Sequence, residues 1–156
     1  MSNMSNKSTE DERRFVEDVA RLLTPWGVPP VAARLYGHLL LCSRPVSLDQ
    51  ITEDLRISKS SASVAARLLE SYRLAHRHSE PGTKRALYAV ADDYEAMIRQ
   101  QNRLLDALSE QLSAGVEITA SKAVSARLAE MGDFYRVMRG AMEDAMSRWK
   151  RGRRPR

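Results

Sequence analysis

The sequence predicts a mainly α-helical fold with one small β-hairpin, and three observations carry that reading. Two short helix signals flank a tight turn between Ser47 and Tyr72. A Pro-Gly turn between β-compatible segments follows directly, from Leu74 to Val90. A long helix signal with an unbroken apolar repeat then closes the chain.

The elements follow in order. Residues 1–9 are rich in Ser and Asn and are expected to be disordered. A helix is expected from Glu10 to Thr24, because acidic residues suit its first turn and Phe15, Val19, Leu22 and Leu23 form an apolar stripe. Pro25 ends it. Pro29 and Pro30 open a second helix, from Val31 to Ser43, since a first turn has no N–H partners to lose. Leu35, Tyr36, Leu39, Leu40 and Leu41 mark that helix as buried.

Ser47 with Gln50 reads as a capping box, opening a short helix from Leu48 to Leu55. Arg56-Ile57 makes the turn, and Ser58 caps a second helix reaching Tyr72. Strands are expected over Leu74–Ser79 and Lys84–Val90, around Pro81-Gly82. Helix, helix, hairpin in this order is the winged helix-turn-helix arrangement.

Asp92 and Glu95 are a capping pair for a helix to Ser113, which Gly115 should break. Thr119 or Ser121 starts the last helix, running to Arg148. There Val124, Leu128, Met131, Tyr135, Met138, Met142, Ala145 and Trp149 recur at alternating steps of 4 and 3, a coiled-coil-type seam. Such a seam must be buried, either within a bundle of the last two helices or against a second copy of the chain. The unclaimed stripe on the N-terminal helix favours the second copy. The expected organisation is therefore 1–9 disordered, 10–24 a dimerisation helix, 25–91 the winged helix-turn-helix, 92–149 a helical dimerisation region and 150–156 a basic tail.

Charge sharpens this division. The 156 residues carry 25 Lys or Arg against 20 Asp or Glu, a net +5. By segment the net charge is −1 over 1–24, +4 over 25–91, −4 over 92–146 and +6 over the last ten residues. An acidic block between two basic ones means that only parts of the molecule face a polyanion. No apolar run approaches the ~18–20 residues that span a bilayer, and the polar N-terminus lacks a secretory h-region. With one cysteine and no intrachain disulfide, a cytoplasmic location is the default expectation.

Lys59, Ser60, Ser63 and Arg67 fall on the face of the Ser58–Tyr72 helix opposite Ala62, Ala65, Leu68 and Leu69. Hydroxyls and cations on such a helix suit phosphate oxygens and base edges. A plain solvated face is the bland alternative; the helix, helix, hairpin context tips the balance to double-stranded DNA. Lys84 and Arg85, just past the hairpin turn, would reach backbone or minor groove, although Lys and Arg also guard strand edges. His76-x-His78 and His38-x3-Cys42 have usable metal spacings but no further ligands, so no metal and no cofactor are expected. Without a phosphate loop, a zincin motif or a nucleophile elbow, an enzyme is not expected. Two alternatives stay open: a winged-helix protein–protein module, and a non-specific architectural DNA-binding protein.

Four motifs then carry a family likeness. W-G-x-P stands at Trp26–Pro29, R-x-Y-G-x-L-L-L at Arg34–Leu41, S-K-x-S-x-S at Ser58–Ser63, and G-x-(R/K)-(R/K)-x-x-Y at Gly82–Tyr88. Over residues 15–92 the chain resembles the GbsR-like branch of the MarR-type transcriptional regulators. The resemblance implies a homodimeric repressor or activator on a near-palindromic operator, often with a small-molecule effector pocket beside the DNA-binding region. It supports Ser60, Ser63, Arg67, Lys84 and Arg85 as DNA contacts. Some relatives sense choline-like cations, which an aromatic cage would hold; Trp26, Tyr36, Phe134 and Tyr135 are candidates, with core packing as the competing role. Thr83 and the basic tail have no part in the pattern.

Overall fold

A computed structural model describes residues 2–153, with side chains from Thr9 onward. The chain divides into two compact units at the Asp92/Asp93 step.

The first unit opens with α1 (Ser2–Leu23), which a 3-10 turn (Thr24–Trp26) and a left-handed Gly27 lead into α2 (Pro30–Leu41). The helix begins at Ser2, not Glu10, so the stretch expected to be disordered is helical from Ser2. Once a packed segment has nucleated a helix, each added residue gains a hydrogen bond at little cost, and weak helix formers can follow. The buried face of α1 differs from expectation in part: Val19 is half-buried and Leu23 packs against the core as expected. Val16 and Ala20 turn inward, whereas Phe15 and Leu22 are exposed. In α2, Pro30 sits in the first turn as anticipated, and Ala32, Ala33, Leu35 and Leu39 are buried. Leu40 and Leu41 fall on the outer side of the helix and are exposed, contrary to the expectation that the whole Leu run is core.

A two-residue strand β1 (Val46–Ser47) leads into α3 (Leu48–Leu55). Ser47 caps that helix by accepting the Gln50 N–H at 3.2 Å. The expected reciprocal half is absent: the Gln50 amide donates to Asp54 at 2.7 Å instead. Arg56 takes a left-handed conformation (φ 53°) and Ser58 caps α4 (Lys59–Ser71). The hairpin is β2 (Ala75–Ser79) against β3 (Ala86–Val90). β1 pairs with the other edge of β3, giving a three-stranded antiparallel sheet in the order β1-β3-β2. Two-residue strands leave no periodic trace, which is why β1 was not anticipated.

Leu35, Leu39, Ile51 and Leu69 are the largest fully buried side chains and join α2, α3 and α4 around one core. Each stabilises the fold by roughly 1.5–3 kcal/mol through lost apolar exposure. Small residues at Ala62, Ala65 and Ala66 let α4 lie close to its neighbours. The result is a rigid seat for the outer face of α4.

The second unit is a pair of helices, α5 (Tyr94–Ile118) and α6 (Lys122–Gly152). Asp93, not Asp92, caps α5 through the Ala96 N–H at 2.9 Å. Gly115 does not break α5; it lies beside Leu128, whose Cδ1 would be 2.9 Å from a Cβ at this position. The helices are antiparallel, with Lys150 paired to Glu95 at 2.7 Å and Arg139 to Asp106 at 2.9 Å. Helix α6 runs past the expected Arg148 end, so Lys150 and Arg151 of the basic tail are helical and Arg153 lies over the Trp149 ring. Residues 154–156 of that tail lie outside the described residues. Every buried apolar side chain among the described residues lies between Val16 and Tyr88; the buried positions of α5 and α6 are Asn102, Ser109 and Gly132. Among the described residues no helix is long and apolar enough to cross a membrane.

Candidate nucleic-acid interface

Ser58 sets up the first half of the site. Its extended backbone (φ −69°, ψ 156°) turns the chain into α4, and its Oγ accepts the Ser61 N–H at 3.1 Å. With the alanine face and Leu69 held in the core, Lys59, Ser63 and Arg67 recur every four residues on one outward ridge. The Arg67 Nε donates to the Ser63 carbonyl at 3.4 Å, which lays the side chain back along its own helix. Ser60 sits one step around the helix and shares a 3.0 Å hydroxyl–hydroxyl contact with Ser58.

The hairpin supplies the second half. Gly82 takes φ +80°, a turn conformation that L side chains resist. Thr83 donates its N–H to the Glu80 carbonyl at 3.2 Å, and its Oγ1 accepts the Arg85 N–H at 3.2 Å. Thr83, which has no part in the motif, thus holds the backbone of Arg85. The Arg85 guanidinium then donates to the Ser47 Oγ at 2.9 Å, tying the wing to the start of α3.

Between these halves lies a cleft of about 500 Å³. Lys59, Ser63 and Arg67 of α4 line it together with Lys84 and Arg85 of the wing, so five of the six expected DNA-contacting residues meet on one surface. Ser60 does not border it. Arg77, on β2, also lines the cleft; the sequence places it on the strand opposing Lys84 and Arg85 without singling it out, and the acidic pair Asp49 and Glu70 on the same walls was missed. The signal for Arg77 was the hairpin register, which sets it opposite Tyr88 of β3. Five cations against two carboxylates leave the cleft net positive. Asp49 engages two of those cations: its Oδ1 lies 3.0 Å from Lys59 Nζ and its Oδ2 lies 3.9 Å from Arg85. The Lys59 hydrogen bond, then its charge, hold the Asp49 carboxyl below the ordinary carboxylate range, with Arg85 adding to the effect.

The other candidates sort differently. Trp26, 87% exposed on the 3-10 turn, and Tyr36, half-buried against the core, belong to the first unit. Phe134 and Tyr135 are neighbours on α6, ring edge to ring face at 5.4 Å, in the second unit. Neither Trp26 nor Tyr36 borders the larger cleft of about 740 Å³ between α1, α2 and α3, which is lined instead by residues that include Glu12, Arg13, Arg34, His38, Cys42 and Asp54. Cys42 Sγ sits 3.6 Å from His38 Nε2, and His38 Nε2 lies 3.0 Å from Asp54. Burial, followed by the charges of Asp54 and Glu12, pushes the Cys42 thiol up, which keeps it protonated and unreactive. Among the described residues no group of three or more His, Cys, Asp or Glu is arranged to hold a metal ion.

Residues 92–153 match the family model described as MmpR5-like MarR family transcriptional regulator. The HTH-type transcriptional regulator YvaV of Bacillus subtilis (strain 168) is 25% identical over 144 residues, covering 80% of this chain and 81% of that protein. The HTH-type transcriptional repressor OpcR of the same organism is 26% identical over 83 residues, 53% of this chain; the match spans 45% of OpcR. A crystal structure of a transcriptional regulator superposes with a TM-score of 0.82 at 26% identity, covering 90% of this chain and 99% of that one. MarR-family proteins are transcriptional regulators rather than enzymes. The chain has a mainly helical fold with a small antiparallel β-hairpin wing, the winged helix-turn-helix arrangement, and its residues 92–153 are similar to MarR-family transcriptional regulators.

Proposed function

We propose that this chain is a sequence-specific, DNA-binding transcriptional repressor that works in the cytoplasm as a homodimer on a near-palindromic operator, in the GbsR-like branch whose four motifs it carries. The observation that supports it most is the shared cleft, where the outward ridge of α4 and the wing converge. Lys59, Arg67, Arg77, Lys84 and Arg85 give that surface the charge a phosphate backbone requires. Ser63 and Arg67 add groups able to read base edges in a major groove. Repression is argued from OpcR, named a repressor and similar over the segment matched.

The homodimer rests on the second unit. Its two helices bury no apolar side chain fully, while Leu104, Phe134, Val137 and Met138 stay exposed along them. A second copy would cover that surface and set two α4 helices about one DNA turn, ~34 Å, apart. Selection of bound fragments from a random duplex pool, followed by anisotropy titration, tests the reading. The selected site should exceed random duplex by at least ~10³ in affinity. With about 6–10 phosphates neutralised, affinity should fall ~10³–10⁵ between 50 and 200 mM salt. Salt-insensitive binding, or equal affinity for all sequences, overturns it.

A further inference from the structure

Asp49 occupies an odd place for an acid. It stands in the first turn of α3, where the helix dipole favours a carboxylate, and it also lines the cationic cleft. From there it reaches one cation on each of the two elements that would meet DNA: Lys59 on α4 at 3.0 Å and Arg85 on the wing at 3.9 Å. Both ion pairs are solvent-exposed, so neither is needed to hold the core. Arg85 keeps a second anchor, the 2.9 Å hydrogen bond to Ser47, which would fix it without Asp49.

We propose that Asp49 is an internal competitor for DNA phosphate, occupying Lys59 and Arg85 in the free protein and surrendering both when a duplex enters the cleft. The inference rests on the DNA-binding reading and deepens it, by naming a residue that sets how strongly the protein binds DNA of any sequence. The physical reason is exchange. An unpaired lysine reaching a phosphate releases about 0.9 of a condensed cation. A lysine that must first leave a carboxylate frees that carboxylate to attract a cation of its own, so the net release shrinks. Wild-type protein should therefore bind random duplex more weakly, and with a shallower salt dependence, than its phosphate contacts alone imply. Base-edge contacts are not involved, so the preference for a selected site persists. Asp49 acts through Lys59 and Arg85; it is a positioning and tuning residue, not a DNA contact.

The test compares wild-type protein with Asp49→Asn and Asp49→Ser, two variants that discharge the position while suiting a helix first turn. Anisotropy with random-sequence duplex is read between 50 and 200 mM salt, with circular dichroism confirming that each variant is folded. Both variants should bind about two- to fivefold tighter at 50 mM salt, the range an exposed ion pair spans. The slope of log affinity against log salt should steepen by about one. In a Lys59→Met background the same discharge should have a smaller effect, because only Arg85 is left to release. Wild-type protein that binds but variants unchanged in affinity and slope overturn this inference alone. Weaker binding by the folded variants overturns it too, since that outcome makes Asp49 an organiser of the cations rather than their competitor. Wild-type protein that binds no duplex at 50 mM salt overturns the DNA reading, and this inference falls with it.

Discussion

Gly37 of α2 faces the backbone of Val16 in α1 so closely that a Cβ on Gly37 would lie 3.1 Å from Val16 Cα and 3.2 Å from its carbonyl oxygen. The glycine of the R-x-Y-G motif is therefore a contact residue. Alanine in a helix interior normally gains about 1 kcal/mol over glycine. Here the neighbour that must yield is main chain, and forced overpacking costs roughly 1–3 kcal/mol. Gly37→Ala should lower stability in urea unfolding, against the propensity trend. Trimming Val16 to alanine should not rescue it, because the obstructing atoms are backbone.

The anchor of α4 gives a second stability prediction. Leu69 is fully buried and packs within the α2–α3–α4 core. Leu69→Ala should cost about 2–5 kcal/mol through lost transfer energy and the cavity left behind. Urea unfolding measures this directly. A cost near zero would mean that Leu69 does not secure the helix that presents Arg67.

Most of the first unit was legible because its signals are local. Ser47 and Ser58 cap the helices expected of them, Pro30 sits in a first turn, and Gly82 turns the hairpin. What escaped were effects of tertiary packing. Of the apolar stripe read on α1, Val19 and Leu23 face inward but Phe15 and Leu22 do not, and the deepest positions went to Val16 and Ala20, with Val16 backbone and Val19 Cβ lying against Gly37. Gly115 looked like a breaker, yet α5 runs through it, beside Leu128 of α6. Of the site, the α4 ridge could be read from helical spacing. The ion pair of Asp49 with Lys59 joins two helices across a turn, and no periodicity announces it.

The Glu95–Lys150 pair predicts a pH dependence in the second unit. The Lys150 hydrogen bond at 2.7 Å, then its charge, lowers the Glu95 carboxyl below its ordinary value, with Arg99 assisting. A carboxyl depressed in the folded state binds fewer protons there than when unfolded. Its contribution is thus present above the usual carboxylate pKa of about 4.3 and is lost as pH falls through the depressed value. Because the pair is exposed, salt should weaken it. Glu95→Gln should melt slightly earlier than wild type at neutral pH and low salt, and identically in strong acid. A constant difference at all pH values would refute the assignment.

Arg67 and Lys84 border the same cleft but should fail in different ways. On the proposed docking, Arg67 meets base edges, and its loss should cost about 1–3 kcal/mol at the selected site while relaxing preference at one position. Lys84 meets phosphate, so Lys84→Ala should weaken selected and random duplex alike and reduce the salt slope by about one. Titrations against both DNAs at several salt concentrations separate the two. Equal behaviour of the two variants would place both side chains on the backbone.

The exposed face of α6 carries the last prediction. Phe134 is 57% and Val137 62% exposed, and the seam residues Met131 and Met138 are also uncovered. An intrachain bundle would have buried the heptad seam against α5; instead only part of it is covered. Exposed apolar area is costly in water, and in the proposed homodimer a second copy covers this face. Phe134→Glu with Val137→Glu should shift sedimentation from dimer to monomer while leaving the first unit folded. On the proposed docking, a subunit without its partner would read only half of the operator. Affinity for the full site should collapse toward that for random duplex, while the residual binding keeps its dependence on Lys59 and Lys84. A doubly charged variant that stays dimeric moves the dimer contact off this face.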